Sequence, residues 1–148
     1  GLRPGTLNVP AIVGFGTSAY FAKAELKDNI DKMLALRKML EANLEEIDGI
    51  FIHAKNNERL PNTVNFAVLN IDGGKLLRRL NKIAVSRGSA CNANTVEPSH
   101  VLTAMGFSND TALASFRVSL SKETTRSDIE LAILNIKEAI YSLQKMTA

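Results

Sequence analysis

A chain of 148 residues with 45% hydrophobic and 22% charged side chains carries enough apolar material for one ordinary core, which argues against disorder and removes any need for disulfide or metal staples. Its formal net charge of +3 is scattered apart from the pair Arg78-Arg79, which reads as a solvated helix face, so no stripe for nucleic acid is present. No run of about 18 apolar residues exists to span a membrane as a helix, and the single cysteine, Cys91, cannot close an internal disulfide, which fits a reducing, cytoplasmic compartment.

The start, G-L-R-P-G-T-L-N, has neither an initiator Met nor a signal-like apolar region and reads as the edge of a longer chain. After the polar turn Arg3-Pro4-Gly5-Thr6, Pro10 stands where a first helical turn tolerates it, with Asn8 as the cap. Ile12, Val13, Ala19, Tyr20, Leu26, Ile30, Met33, Leu34, Leu40, Leu44 and Ile47 recur at helical spacing. They predict one unusually long helix from Pro10 to about Asn43, with Gly14 and Gly16 as the places where it would kink, and Asp48-Gly49 ends the segment.

Ile50 to Ala54 and Val64 to Ile71 are strand candidates, and Asp72-Gly73-Gly74 turns into a short helix from Lys75 to about Asn81. Ile83 to Ser86 is a further short strand that runs into the cysteine segment S-R-G-S-A-C-N-A-N-T-V-E-P-S-H-V. Glu97-Pro98 opens a helix that Gly106 closes, with Val101, Leu102 and Met105 inward. From Ala114 to Leu120, Phe116, Val118 and Leu120 alternate with Ser115, Arg117 and Ser119, a period-two strand with one polar face. Thr125, with Asp128 three residues on, caps a last helix whose buried stripe is Ile129, Ile133, Ile136, Ile140 and Leu143. The pattern is a mixed α+β domain: a small sheet covered by helices and entered by one long helix.

Chemistry concentrates in two places. Gly88, Ser89, Ala90, Asn92, Ala93 and Asn94 offer Cys91 no apolar surface to pack into, and a thiol on such a loop-forming segment is free to meet a partner site, with a reactivity set by its thiolate fraction. Metal binding there is disfavoured, because no second cysteine exists and His100 lies outside the close ligand spacings of structural zinc sites. Arg117, on the polar face of an apolar strand, is placed either to hold a carboxylate or phosphate with both arms of its guanidinium or to serve as a structural or surface arginine. Thr6, beside Gly5 in a tight turn, has a hydroxyl and backbone suited to phosphate. His53 after the first strand and His100 at a helix start read as structural.

The segment S-R-G-S-A-C-N-A-N-T-V-E-P-S-H-V-L-T-A-M-G closely resembles the catalytic-cysteine loop of the cysteine desulfurases, pyridoxal-phosphate enzymes of the aminotransferase class V family that take sulfur from L-cysteine for iron–sulfur cluster assembly. Three further stretches match in the same order: R-P-G-T-L-N, R-L-P-N-T-V-N-F and F-R-V-S-L-S. The long loop is similar to that of the group serving general cluster and nitrogenase assembly. The resemblance implies the C-terminal part of a fold-type I enzyme: residues 1–22 as the end of the cofactor-binding large domain and residues 23–148 as the small domain. It implies Cys91 as the nucleophile that becomes a persulfide while L-cysteine becomes alanine. Arg117 would grip the substrate carboxylate, and Thr6 would reach the cofactor phosphate of the neighbouring subunit in a homodimer. An iron–sulfur scaffold or another acceptor protein would then take the sulfur.

Some positions depart from the family pattern. Arg87 stands where serine is usual, Asn92-Ala93 where threonine-serine is usual, and Gly73-Gly74 where a Gly-Glu pair is common. Arg87 raises the hypothesis of a more positive potential that favours the Cys91 thiolate. The cofactor lysine, which the family carries directly after a histidine, has no match here: Ile52-His53-Ala54-Lys55 has the wrong spacing. The chain on its own is therefore expected to hold no covalent pyridoxal phosphate and to lack turnover. The alternative reading is a sulfur-carrier or protein-interaction domain without catalysis of its own.

Overall fold

The computed structural model describes residues 5–87 and 97–145. Two helices come first, α1 (Val9–Ala24) and α2 (Leu26–Glu45), followed by strands β1 (Ile50–Ile52) and β2 (Thr63–Val68) and helix α3 (Gly73–Arg79). Short helices α4 (His100–Ala104) and α5 (Asn109–Leu113) lead into β3 (Ser115–Ser119), and α6 (Arg126–Gln144) closes the chain. The three strands pair antiparallel in the order β1-β2-β3, with Phe51 opposite Ala67, and Phe66 opposite Phe116. The α+β architecture expected from the sequence is the one observed.

Alternation on the strands divides the sheet into two faces. Ile52, Val64, Phe66, Val68, Phe116 and Val118 are buried in one core with Leu40 and Leu44 of α2, Leu76 of α3, and the stripe Ile129, Ile133, Ile136, Ile140 and Leu143 of α6. The Phe66 and Phe116 rings lie 5.9 Å apart at its centre. Thr125 and Asp128 form the reciprocal cap expected at the start of α6: the Asp128 N–H donates to Thr125 Oγ1 and the Thr125 N–H to Asp128 Oδ2.

The long entry helix differs from expectation in where it breaks. Gly14 and Gly16 lie within α1, and the division falls at Glu25 (φ −94°, ψ −1°). The hydrogen-bond ladder continues through that residue, since its N–H reaches Phe21 and its carbonyl accepts from Asn29. The Glu25 carboxylate is tied instead to Lys122 Nζ at 2.8 Å, in the turn between β3 and α6. No α1 side chain is buried, although Val13, Phe15 and Tyr20 are all large and apolar. The expected boundary between residues 22 and 23 falls in the last turn of α1.

Other corrections are local. Of the strand expected at Ile83 to Ser86, only a single bridge between Ser86 and Arg117 forms. Val101 and Met105 are exposed, and of the three residues expected inward only Leu102 is buried. Positions 101 and 105 share one side of a helix while 102 lies about 100° away from 101, so a single short turn cannot bury all three. α5 was not expected at all.

The quoted stretch R-L-P-N-T-V-N-F is structural at its start. Arg59 Nη1 lies 2.8 Å from Oε1 of buried Glu41 on α2, and the Asn62 carbonyl accepts from the Leu120 N–H at 2.8 Å while the Asn62 side chain donates to the Leu120 carbonyl at 3.2 Å. Those contacts fix β2 and, with it, the residue that faces Arg117.

Candidate functional site

The second face of the sheet is polar, and its central row crosses every paired segment. His53 N–H bonds to the Asn65 carbonyl, Asn65 is the register partner of Arg117, and Arg117 bridges Ser86 with bonds of 2.8 and 3.0 Å. Because Arg117 spends its backbone groups on Ser86 and Asn65 its carbonyl on His53, Asn65 and Arg117 form a non-hydrogen-bonded pair, the kind that brings Cα atoms to about 4.5 Å and side chains close. Asn65 Oδ1 is buried there with no hydrogen-bond partner.

One end of this face is covered. Phe107 lies 4.4 Å from His53 and 5.8 Å from Phe51, ring centre to ring centre. The Ser115 hydroxyl donates to the Thr111 carbonyl at 2.6 Å, so the 2.9 Å contact with His53 must carry the histidine's proton on Nε2. Nδ1 is left bare, buried and unpartnered. Burial holds the His53 pKa below its ordinary value. His53 is thus a structural, neutral histidine, as the sequence suggested, and Ser115 is buried although its strand position is on the polar face.

The folded state refuses a proton that the unfolded chain accepts, so this residue leaves stability intact above the unfolded pKa of about 6.5 and erodes it as pH falls below that value, by up to about 1.4 kcal/mol per pH unit. We predict that urea midpoints will fall between about pH 6.5 and 5 and that His53→Gln will flatten that slope. An equal slope in both proteins would remove His53 as its cause.

The other end is open. The Arg117 guanidinium is exposed, and among the described residues its side-chain hydrogen bonding is a long 3.5 Å approach of Nη2 to Ser86 Oγ. Among the described residues no carboxylate pairs with it, so the salt-bridge reading of this arginine finds no partner here. Ser86 is also the last residue but one before the stretch that carries Cys91. Cys91 itself, Arg3, Asn92 and Ala93 lie outside the described residues.

Thr6 is exposed beside Gly5, whose φ of +106° is the left-handed conformation that suits glycine, and no hydrogen bond or ion pair joins Thr6 to the sheet face. His100 is exposed at the start of α4. Lys55 is paired with Glu45, and His53 is committed to Ser115, so the His-Ala-Lys stretch is used structurally. Arg78 and Arg79 are exposed and, with Asp72 and Lys75, line a groove of about 460 Å³ that shares no residue with the polar face. Among the described residues no three His, Cys, Asp or Glu are grouped to hold a metal, and no helix is long and apolar enough to cross a membrane.

Sequence reasoning found Arg117 but not Asn65 or the pairing of Ser86. The alternation of Thr63 and Asn65 with Val64, Phe66 and Val68 was the available signal for the first. The strand expected at Ile83 to Ser86 was the signal for the second, though it does not name Arg117 as the partner.

Comparison with known proteins bears on family and fold. The family model for aminotransferase class-V matches residues 1–131. A protein named cysteine desulfurase IscS from Anaeromyxobacter sp. (strain Fw109-5) is 36% identical over 148 residues, an alignment covering 99% of this chain and 37% of the relative. One of the same name from Aeromonas hydrophila subsp. hydrophila is 35% identical over 147 residues, covering 99% and 36%. Among solved structures, a NifS-like protein from Rickettsia africae ESF-5 superposes with a TM-score of 0.80 at 36% identity, over 93% of this chain and 36% of that one. A second NifS-like protein gives 0.81 at 33% identity, over 97% and 36%. The chain thus spans a little over one third of the length of the curated relatives it matches, 37% in the first of them.

Proposed function

The chain belongs to the aminotransferase class-V family, and from that premise we propose that it is the small-domain portion of a cysteine desulfurase, with residues 23–148 as that domain and residues 1–22 as the end of the large one. The observation that carries the proposal is Arg117: an exposed, carboxylate-free guanidinium on a polar sheet face, bonded through its backbone to the root of the cysteine-bearing stretch. A fork of N–H donors left without an acidic partner suits the α-carboxylate of an amino acid.

In the reaction we propose, the Cys91 thiolate forms a bond to the sulfur of L-cysteine while the substrate's carbon–sulfur bond breaks. The electron pair stays with the carbon, which takes up a proton to become L-alanine, and Cys91 is left as a persulfide. Pyridoxal phosphate, when bound, supplies the electron sink for that carbon. The exposed Thr6 hydroxyl and the neighbouring glycine turn fit a contact with the cofactor's phosphate from an adjacent subunit of a homodimer. Arg117 orients the substrate, and the persulfide passes to an acceptor such as an iron–sulfur scaffold in the reducing cytoplasm.

The holoenzyme that carries this chain, given L-cysteine, should gain one sulfur atom on Cys91, located by mass spectrometry of its peptides, with alanine formed in step. Alanine without sulfur on Cys91 would refute the assignment. Sulfur arriving on Cys91 only from an added persulfide donor, with no alanine formed, would favour the carrier reading.

A further inference from the structure

Arg87 stands one residue beyond the Ser86 bridge and one before the stretch 88–96. Its Nε donates to the Leu113 carbonyl at 2.7 Å, at the corner between α5 and β3. Its guanidinium lies over the first turn of α3. A Cβ on Gly73 would sit 2.9 Å from Arg87 Nε and 2.5 Å from the Leu113 carbonyl oxygen, and one on Gly74 would sit 3.2 Å from Arg87 Nη1. The glycine pair is therefore the floor on which the arginine rests: close approach excludes a side chain at Gly73, and at Gly74 a Cβ would push against Nη1. Asp72 caps α3 by accepting the Lys75 N–H at 2.7 Å, and that backbone bond, ahead of the weaker pull of Arg87, holds its carboxyl below the usual range.

We propose that Arg87 is a positioning residue, a clamp that fixes the root of the cysteine-bearing stretch to α3 and the α5–β3 corner, and that it acts through this tether rather than through its charge. Two adjacent residues, Ser86 and Arg87, hold the chain to two different elements, β3 and Leu113. Cys91 follows four residues later, and four residues of any chain span at most about 14 Å, so the clamp bounds the distance between the thiol and the α5–β3 corner. Fixing the root limits the search needed to bring two sulfurs together, which is an entropic advantage. The departures at Arg87 and Gly74 thus meet in a single contact, and a glutamate at 74 would have its Cβ against Nη1. This role for Arg87 is mechanical, and the thiol pKa of Cys91 in the variants below separates it from the charge hypothesis.

The inference rests on the desulfurase reading for its consequence and on geometry alone for the clamp, so the test has separate arms. In the holoenzyme, Arg87→Ser and Arg87→Lys should both speed amide exchange at Ser86 and Arg117 by about fivefold, because lysine keeps the charge but lacks the side-on Nε–H donor. Both should lower kcat about tenfold while KM for L-cysteine stays within about twofold. The thiol pKa of Cys91, from alkylation rate against pH, should not move in either. Gly74→Ala, a smaller change to the same contact, should show the same pattern more weakly. A Cys91 pKa that rises in Arg87→Ser and returns in Arg87→Lys would overturn the clamp in favour of charge, and unchanged exchange in all three variants would overturn it outright. Turnover that survives Cys91→Ser would instead refute the desulfurase reading of Cys91, and the exchange arm would still decide the clamp.

Discussion

Replacing Cys91 with serine in the holoenzyme is expected to lower alanine production from L-cysteine at least about a thousandfold, the scale on which an enzyme loses rate when its nucleophile is removed. The substitution exchanges one sulfur atom for oxygen, so stability should stay within about 0.5 kcal/mol. Serine keeps a similar shape and a hydrogen-bonding group. What it lacks is an accessible anion and a soft atom able to accept a sulfur from another sulfur. The loss should therefore fall on kcat, with substrate affinity nearly unchanged, because the carboxylate grip assigned to Arg117 is untouched. A drop confined to KM would make Cys91 a binding residue, and wild-type turnover would remove it from the reaction. A structural domain with an incidental cysteine predicts the latter.

How far the order of residues reveals this arrangement depends on the length of each signal. The isoleucine stripe and the Thr125–Asp128 cap of α6 were legible because five turns of helix repeat one pattern against one core. The alternation of β3 was legible for the same reason at period two, apart from Ser115, whose burial follows from a bond to His53 that lies 62 residues away in sequence. α5 has only five residues, and its Ser108 cap is too brief a signal for any periodicity to support. In α1 the apolar spacing predicted a helix correctly and said nothing of burial, which needs a partner surface. Glu25, where α1 meets α2, contacts Lys122, a partner so distant in sequence that no local rule can anticipate it. Gly73-Gly74 had no interpretable role until Arg87 was seen lying on it. Motif likeness gave the candidate residues their roles, and the sheet register gave Arg117 its neighbours, Asn65 and Ser86.

Arg117→Ala is expected to lower kcat/KM for L-cysteine by about a hundredfold to a thousandfold, the range for truncating one partner of a desolvated charge pair. The alternative, a surface arginine of no consequence, predicts almost nothing, because among the described residues the exposed side chain is hydrogen-bonded only by the 3.5 Å approach to Ser86 Oγ. The backbone bridge to Ser86 does not depend on the side chain, so the sheet and the root of the cysteine stretch should survive the change. Arg117→Lys should recover little, since a single ammonium cannot reproduce two parallel N–H bonds to a carboxylate. Cysteamine, which keeps the amine and the thiol but has no carboxylate, separates specific from general damage. Wild type should use it poorly, and Arg117→Ala should use it no worse than wild type does, so that discrimination between the two substrates collapses. If the variant lost equally on both, the arginine would be supporting the site and not the substrate. If it lost on neither, the carboxylate would have to be held elsewhere, and the open end of the polar face would need another occupant.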